Sequence, residues 1–365
     1  MYLNDHRKNE VVTLLLKGII LHCQNEIKRE RTINSVFHLL TGKQSIQTIQ
    51  DANLYQLENY YALYKPLNKK VFDQQIKELV ERNYLSPQGE LSYDITPEGL
   101  HFLESVKLNK YYWNGLTFRE IDRLFFQRLL LFIQVWTNSR NNKQHYIPIV
   151  EHPETLLWIK QFYRTDQTDR LTRLKQLYSE LVDLFSQLSS FFPQLFIEQI
   201  TTTNSIGLTY EQLAARFDKS VTDIYLLHIN YVHFILEKVI NHNSIYPLLH
   251  LFVKDLKDNK QEKTITQSAK ITNLYIEQGL TPEEIAVKRN LKINTIFDHI
   301  VEIALHDEHF PLHKFVPIDK QEEIYRAVRQ LQSLKLKEIK QVVDEDISYF
   351  QIRLALTKLN RVMGE

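Results

Sequence analysis

Residues 280–300 carry the pattern that most constrains the fold of this chain. Thr281 is followed by one proline and two glutamates, which is typical of the capped first turn of a helix. Asn290 tolerates the left-handed backbone conformation that a sharp turn requires. Ile296 and Ile300 recur at the helical period and predict the buried face of a second helix. The spacing predicts a helix-turn-helix.

The second helix of this motif carries residues that could contact a nucleic acid. In such a motif it can enter the major groove, where Asn and Thr suit base edges and Lys suits phosphate. Its outward positions hold Lys292, Asn294, Thr295, Phe297, Asp298 and His299. Asp298 would repel phosphate, and residues 261–365 contain 15 Lys and Arg against 16 Asp and Glu. We expect DNA contact by Lys288, Arg289, Lys292, Asn294, Thr295 and His299. The alternative is a trihelical module that docks a protein.

Composition excludes several kinds of site. Glycine accounts for 8 of 365 residues, roughly a third of average usage, which argues against Gly-rich phosphate loops and doubly wound folds. A Walker A loop is absent because Gly42-Lys43 is followed by glutamine and Phe37 stands at the earlier glycine position. With Cys23 as the single cysteine, the chain cannot form a multi-cysteine metal centre. The net charge of +1 requires that any nucleic acid be bound by a local basic patch.

The order of elements over residues 1–110 predicts a winged-helix-like domain. Apolar periodicity predicts helices over 8–24, 32–40, 45–57 and 68–82. Thr32 and Asn68 are the expected N-caps of two of them. Ser86–Gly89 has the residues of a type I turn and predicts a hairpin, after which Thr96-Pro97 starts a closing helix.

This N-terminal domain could dock either a nucleic acid or a protein. Its helix over 68–82 offers polar residues to phosphates and bases, namely Lys69, Lys70, Gln74 and Lys77. The wing, however, contains Glu90, Asp94 and Glu98 and no Lys or Arg between Leu85 and Leu100. A wing that contacts DNA usually has a basic tip, because phosphate neutralisation dominates affinity. Both kinds of partner therefore remain open here.

The remaining chain predicts a helical middle domain over 111–255, a charged linker over 256–263 and a C-terminal domain over 264–365. Long amphipathic helices are expected at 116–136, 153–164 and 166–191. Residues 208–236 repeat the helix-turn-helix spacing. Their second helix is largely apolar and aromatic, which favours a structural role.

Residues 264–360 resemble the helix-turn-helix domain at the C-terminal end of many bacterial RecQ-type helicases. The matching stretches are Ser268–Gly279, "LTPEEIAVKRNLKINTIFDHI" at 280–300, "FVPIDKQEEIYRAV" at 315–328 and "DISYFQIRLALTKL" at 346–359. The whole chain, including "LLTGKQSIQTIQDANLY" at 39–55, also resembles the YpbB-type proteins of Firmicutes. That family carries the domain without a helicase and is typically encoded beside a RecQ-type helicase. The resemblance implies a helicase-associated role in DNA repair or recombination.

The sequence thus predicts a mainly α bacterial protein with a winged-helix-like N-terminal domain, a helical middle domain and a C-terminal helix-turn-helix domain. We expect a non-enzymatic DNA-binding accessory protein that is associated with a RecQ-type helicase. No catalytic residue, cofactor or metal ligand is expected, because no such constellation stands out. We also expect a cytoplasmic protein that does not enter a membrane, and a homo-oligomer remains open. The alternatives are a protein-interaction adaptor without DNA binding and a helix-turn-helix transcription regulator.

Overall fold

The computed structural model describes residues 14–143, 145–256 and 265–359, which form a mainly helical protein with a two-stranded hairpin. The N-terminal elements are α1 (Leu14–Ile27), α2 (Asn34–Thr41), α3 (Ile46–Leu54), α4 (Lys69–Glu81), β1 (Leu85–Gly89), β2 (Ser92–Ile95) and α5 (Pro97–Val106). Next come α6 (Gly115–Phe118), α7 (Asp122–Arg140), α8 (Pro153–Thr165), α9 (Arg170–Ser186), α10 (Phe191–Ile197), α11 (Tyr210–Phe217), α12 (Val221–Asn241) and α13 (Pro247–Leu251). The C-terminal helices are α14 (Gln267–Glu277), α15 (Pro282–Arg289), α16 (Ile293–His306), α17 (Ile318–Leu331), α18 (Leu336–Val342) and α19 (Tyr349–Leu356). Short 3₁₀ turns occupy Glu58–Tyr60, Leu108–Lys110 and Leu312–Lys314.

The expected fold class is confirmed in its mainly helical character and its C-terminal helix-turn-helix domain. The predicted start of the first helix, at residues 8–13, lies outside the described residues. The predicted linker at 256–263 does too, apart from residue 256.

Two of the predicted N-terminal caps form as expected. The Asn68 side chain accepts a hydrogen bond from the backbone N–H of Val71, at 2.9 Å, and this satisfies one of the orphan donors of α4. The Thr96 hydroxyl accepts from the N–H of Gly99 at 3.0 Å, with proline at the first position of α5.

The predicted cap at Thr32 and the predicted turn at Ser86–Gly89 are both wrong. Ile33 is the residue that precedes α2, and Thr32 contributes its backbone carbonyl to Ser35 instead of its hydroxyl. Ser86–Gly89 continues β1, and the chain reverses one step later, where Leu91 adopts a left-handed φ of 57°. A two-stranded ribbon has only edge strands, so Pro87 can lie within β1 although it lacks an N–H.

The described chain divides into two compact units. The first unit contains residues 14–22, 62–86 and 95–256, and the second contains 23–61, 87–94 and 265–359. The elements of the predicted winged helix therefore belong to both units, with α2 and α3 in the second and α4 and α5 in the first. The winged helix and the domain boundaries stay predictions.

The first unit is built around α7 and α12, whose apolar side chains form its core. Trp136 and Phe132 of α7 are fully buried and stacked, with ring centroids 4.0 Å apart. Arg128 is buried beside them. Its guanidinium binds the carboxylate of Asp255 and lies 4.6 Å from the ring centroid of Trp158. The cost of burying this charged guanidinium is offset because the group is paired with a carboxylate, hydrogen-bonded and stacked on a ring.

The second unit places the C-terminal helices together with α2 and α3. Its core includes Ile296 and Ile300 of α16 and Ile352 of α19, all fully buried. The carboxylate of Glu30 accepts a hydrogen bond from the backbone N–H of Leu334 at 2.8 Å. Packing within this unit therefore joins residues more than 300 positions apart in the sequence.

Candidate nucleic-acid interface

The helix-turn-helix is formed by α15, α16 and the turn between them. A capping box begins α15, because the Thr281 N–H donates to the Glu284 carboxylate at 2.8 Å and the Glu284 N–H donates back to the Thr281 hydroxyl at 3.3 Å. Asn290 ends the helix with a left-handed φ of 51°, as the sequence predicted. The Leu291 N–H then donates to the carbonyl of Ala286 at 3.0 Å and closes the turn. The predicted local geometry is confirmed.

Four of the predicted contact residues lie on this turn and beside it. Lys288, Lys292 and Asn294 are exposed, and Thr295 is half-buried. Lys288 is held over the ring of Tyr275, with its Nζ 4.8 Å from the centroid. Lys292 directly precedes the first residue of α16, and the backbone N–H groups of a helix N-terminus favour an anion. This part of the domain presents lysines, an amide and helix N–H groups to solvent.

Arg289 and His299 lie in the packing of the domain instead of on this surface. The Arg289 guanidinium donates to the Ser268 carbonyl at 2.7 Å and to the Thr272 hydroxyl. His299 is 8% exposed, and its Nδ1 lies 2.9 Å from the same Thr272 hydroxyl. Burial and the neighbouring Arg289 charge both lower the pKa of His299. Helical periodicity could not reveal this role because the partners belong to α14.

The side chains of α16 from Phe297 to Ala304 are half-buried or buried within the second unit. Phe297 stacks on Phe350, with ring centroids 4.0 Å apart. Asp298 accepts a hydrogen bond from the guanidinium of Arg353, whose Nε also donates to the Gln50 side chain at 2.8 Å. Arg353 therefore neutralises the carboxylate that the sequence suggested would repel phosphate. Sequence reasoning missed Arg353, since nothing local marks it as a partner of either residue.

The predicted contact residues of the N-terminal domain lie on the exposed face of α4, in the first unit. Lys69, Lys70, Gln74 and Lys77 are all exposed. Lys69 pairs with Asp73, Gln74 donates to Glu78 at 3.1 Å, and Lys77 lies 3.7 Å from Glu81. These partners are one helical turn away and offset much of the positive charge that a phosphate would meet.

The acidic wing is also partly neutralised. Asp94 pairs with Arg29, and this hydrogen bond lowers the pKa of the carboxyl. Glu90 and Glu98 remain exposed. None of these contacts selects between a protein and a nucleic acid as the partner of the N-terminal region.

Among the described residues, no group of three or more His, Cys, Asp and Glu side chains is placed to hold a metal ion. No helix in this part of the chain is both long and apolar enough to cross a membrane.

Comparisons with known proteins agree with the geometry. Residues 268–356 match a family described as a helix-turn-helix domain, a kind of domain typical of DNA-binding proteins. Protein YpbB of Bacillus subtilis is 31% identical over 346 residues, which cover 93% of this chain and 96% of that protein. No solved structure matches. The chain therefore belongs to the same family as Protein YpbB, and it carries a helix-turn-helix domain at its C-terminal end.

Proposed function

We propose that this protein is a non-enzymatic DNA-binding accessory protein, and that it binds DNA through the turn of its C-terminal helix-turn-helix. The observation that carries the proposal is the exposure of Lys288, Lys292 and Asn294 on and beside the turn, with Thr295 half-buried next to them. Arg289 and His299 are left out of the interface because their polar atoms serve the packing of the domain.

The contact is local and mainly electrostatic. The net charge of the chain is +1, so attraction of the phosphate backbone must come from local groups of lysines and not from the overall charge. Lys288 and Lys292 would neutralise phosphates, while Asn294 and Thr295 can reach base edges from the first turn of α16. Because the side chains of α16 from Phe297 to Ala304 are half-buried or buried, the contact would be shallow and limited to the N-terminal end of that helix.

We further propose that the protein acts with a RecQ-type helicase in DNA repair or recombination. This rests on the resemblance of residues 264–360 to the C-terminal domain of such helicases and on the likeness of the whole chain to the YpbB type. The chain has no Walker A loop of its own, so a helicase partner would supply the ATP-driven step.

Fluorescence anisotropy of the full chain with forked, single-stranded and duplex DNA across a salt series tests the DNA-binding proposal. The double variant Lys288→Ala/Lys292→Ala should bind DNA more weakly. The plot of log affinity against log salt should become shallower, with the magnitude of its negative slope smaller by about 2. The matched control is Lys314→Ala/Lys337→Ala, which removes two exposed lysines from other elements of the same unit, the 3₁₀ turn at Leu312–Lys314 and α18. Equal losses in the two double variants, or an unchanged slope in the first, would contradict the assigned interface.

A protein-interaction adaptor without DNA binding is the second candidate. It is favoured by the engagement of Phe297, Asp298 and His299 in packing, which removes half of the usual reading surface. A stable complex with a helicase in nuclease-treated lysate, together with no DNA affinity at low salt, would establish this candidate and exclude the first.

A further inference from the structure

A cleft in the first unit has no role in the function proposed above. It lies between α7 and α8, is closed on one side by the segment after α7, and has a volume of about 580 Å³. Its aliphatic floor is formed by Leu131, Val135, Pro148, Leu156 and Ile159. Its polar rim is formed by Ser139, Asn142, Lys143, Tyr146, Lys160, Tyr163 and Arg164.

The cleft is held open by hydrogen bonds from its own walls. Gln134 is 3% exposed, and its side-chain amide donates to the carbonyl of Ile147 and accepts from the N–H of Ile149, both at 3.0 Å. It thereby fixes the segment that carries Tyr146 and Pro148. Across the cleft the Ser139 and Tyr163 hydroxyls are 2.9 Å apart and join α7 to α8. A site that exists before the ligand arrives avoids much of the cost of ordering.

The rim carries positive charge without an opposing carboxylate among the described lining residues. Lys160 and Arg164 are exposed and lie one turn apart on the same face of α8. Lys143 approaches from the other side, with its Nζ donating to the Thr203 carbonyl at 3.3 Å. The site therefore combines three cations with an apolar floor, and its ligand must carry both negative charge and an apolar group.

Two strongly exposed apolar side chains lie next to lining residues in the sequence. Ile147 is 84% exposed and Leu157 is 58% exposed, and each is next in sequence to a lining residue. Large apolar side chains grouped beside a charged rim are typical of a surface that docks a partner.

We propose that this cleft binds an acidic segment of a protein partner, with carboxylates on Lys143, Lys160 and Arg164 and one apolar side chain on the aliphatic floor. A single-stranded nucleic acid fits less well, because its bases need flat aromatic platforms. The Tyr163 ring is already taken by the Arg170 guanidinium, 4.0 Å from its centroid, and by the edge of Trp136. Tyr146 offers one further ring at the rim, but the floor is aliphatic, so successive bases would lack stacking platforms. The inference does not depend on DNA binding by the helix-turn-helix.

Fluorescence anisotropy with three labelled hexapeptides tests the proposal on the full chain. The first has four glutamates followed by leucine and phenylalanine, the second replaces the glutamates with lysines, and the third replaces the two apolar residues with serines. The first should bind, and the other two should bind at least about tenfold more weakly, because each lacks one of the two kinds of contact. The double variant Lys160→Glu/Arg164→Glu should abolish binding of the first peptide.

The matched control is Lys175→Glu, which reverses an exposed charge of the same unit that does not line the cleft and should bind the peptide like the wild type. Circular dichroism checks that every variant is folded. No binding of the first peptide at about 100 µM protein, or equal binding of the first and third, would overturn the proposal. It would also be overturned if a single-stranded oligonucleotide, and no peptide, lost affinity in the double variant. Failure of the lysine variants at the turn would leave this result unaffected, so the two proposals are tested separately.

Discussion

The two helix-turn-helix segments of this chain, α11–α12 and α15–α16, have nearly the same turn and very different second helices. Both first helices begin with a capping box, at Thr209 and at Thr281. Both end with a left-handed residue, where Asp218 and Asn290 share a φ of 51°. In both, the next N–H donates to the carbonyl of an alanine at 3.0 Å.

The second helices differ in what surrounds them. Every residue from Leu226 to Leu236 in α12 is buried, and its polar side chains serve the interior. His228 Nδ1, for example, lies 2.8 Å from the Tyr231 hydroxyl. The clearest difference at matched positions is at the start, where Lys292 and Asn294 are exposed, whereas Ser220 and Thr222, at the same distances from their left-handed residue, are half-buried. The helix-turn-helix spacing therefore fixes a local turn, but it does not decide whether the second helix can reach a ligand.

The largest expected difference between the two segments is in core packing. Leu226 and Asp298 stand at the same distance from their left-handed residues, but Leu226 is fully buried and Asp298 is half-buried. We expect Leu226→Ala to lower the free energy of unfolding by about 2–5 kcal/mol, because it leaves a cavity. Asp298→Ala should cost clearly less, about 1 kcal/mol or below. Urea denaturation followed by circular dichroism measures both, and equal losses would remove the contrast.

The next effect is a pH dependence of stability that follows from a buried histidine of the α12 segment. Burial lowers the pKa of His228 to about 3, so the folded protein keeps this side chain neutral while the unfolded chain can protonate it. Its contribution to stability is complete above about pH 6.5 and is lost as the pH falls toward 3, by about 2 kcal/mol at pH 5. Between about pH 7 and pH 5, the free energy of unfolding should therefore decline less in His228→Leu than in the wild type. The control is His101→Leu, which replaces an exposed histidine of the same unit, and an equal flattening in that variant would refute the assignment.

A smaller loss of stability is expected at His299, where a variant should destabilise the fold of the α16 segment without changing its contact with DNA. His299→Ala removes the hydrogen bond to Thr272 and should lower the free energy of unfolding by about 1–2 kcal/mol. Because His299 is buried, the salt dependence of DNA binding should stay as in the wild type. A shallower salt slope in this variant would return His299 to the interface.

The smallest effect on stability is expected at Asn294, with a change of at most about 0.5 kcal/mol on replacement by alanine, because its side chain is exposed. The same variant should weaken binding to duplex DNA measurably, since an amide that reaches a base edge is lost. Thermal unfolding and anisotropy on the same preparation check the two parts. Unchanged DNA affinity would limit the interface to the two lysines.

Much of the local structure was predictable because it depends on neighbouring residues. Asn68, Thr96 and Thr281 cap helices whose first turns follow directly in the sequence. The predictions for Thr32 and for Ser86–Gly89 failed because the same local residues allow a second arrangement. A carbonyl can replace a hydroxyl as an acceptor, and a strand can continue through a proline when its edge is free.

The candidate site was only partly predictable, because its composition depends on distant partners. Arg289 looked like a phosphate ligand until Ser268 and Thr272 were seen to accept its hydrogen bonds. Asp298 looked repulsive until Arg353 was seen beside it. No periodicity of α16 encodes either contact.

The sequence alone determined the helical fold class, the capped turn at 281–290 and the absence of a Walker A loop, because each depends on residue types at short spacings. Only the tertiary structure decided that the second helix α12 is buried in its unit and that side chains at the start of the second helix α16 are exposed to solvent. Burial and hydrogen bonding are set by residues hundreds of positions away, such as the Gln50 that meets Arg353. Availability for binding is therefore a property of the packed unit, whereas the turn itself is a property of the local sequence.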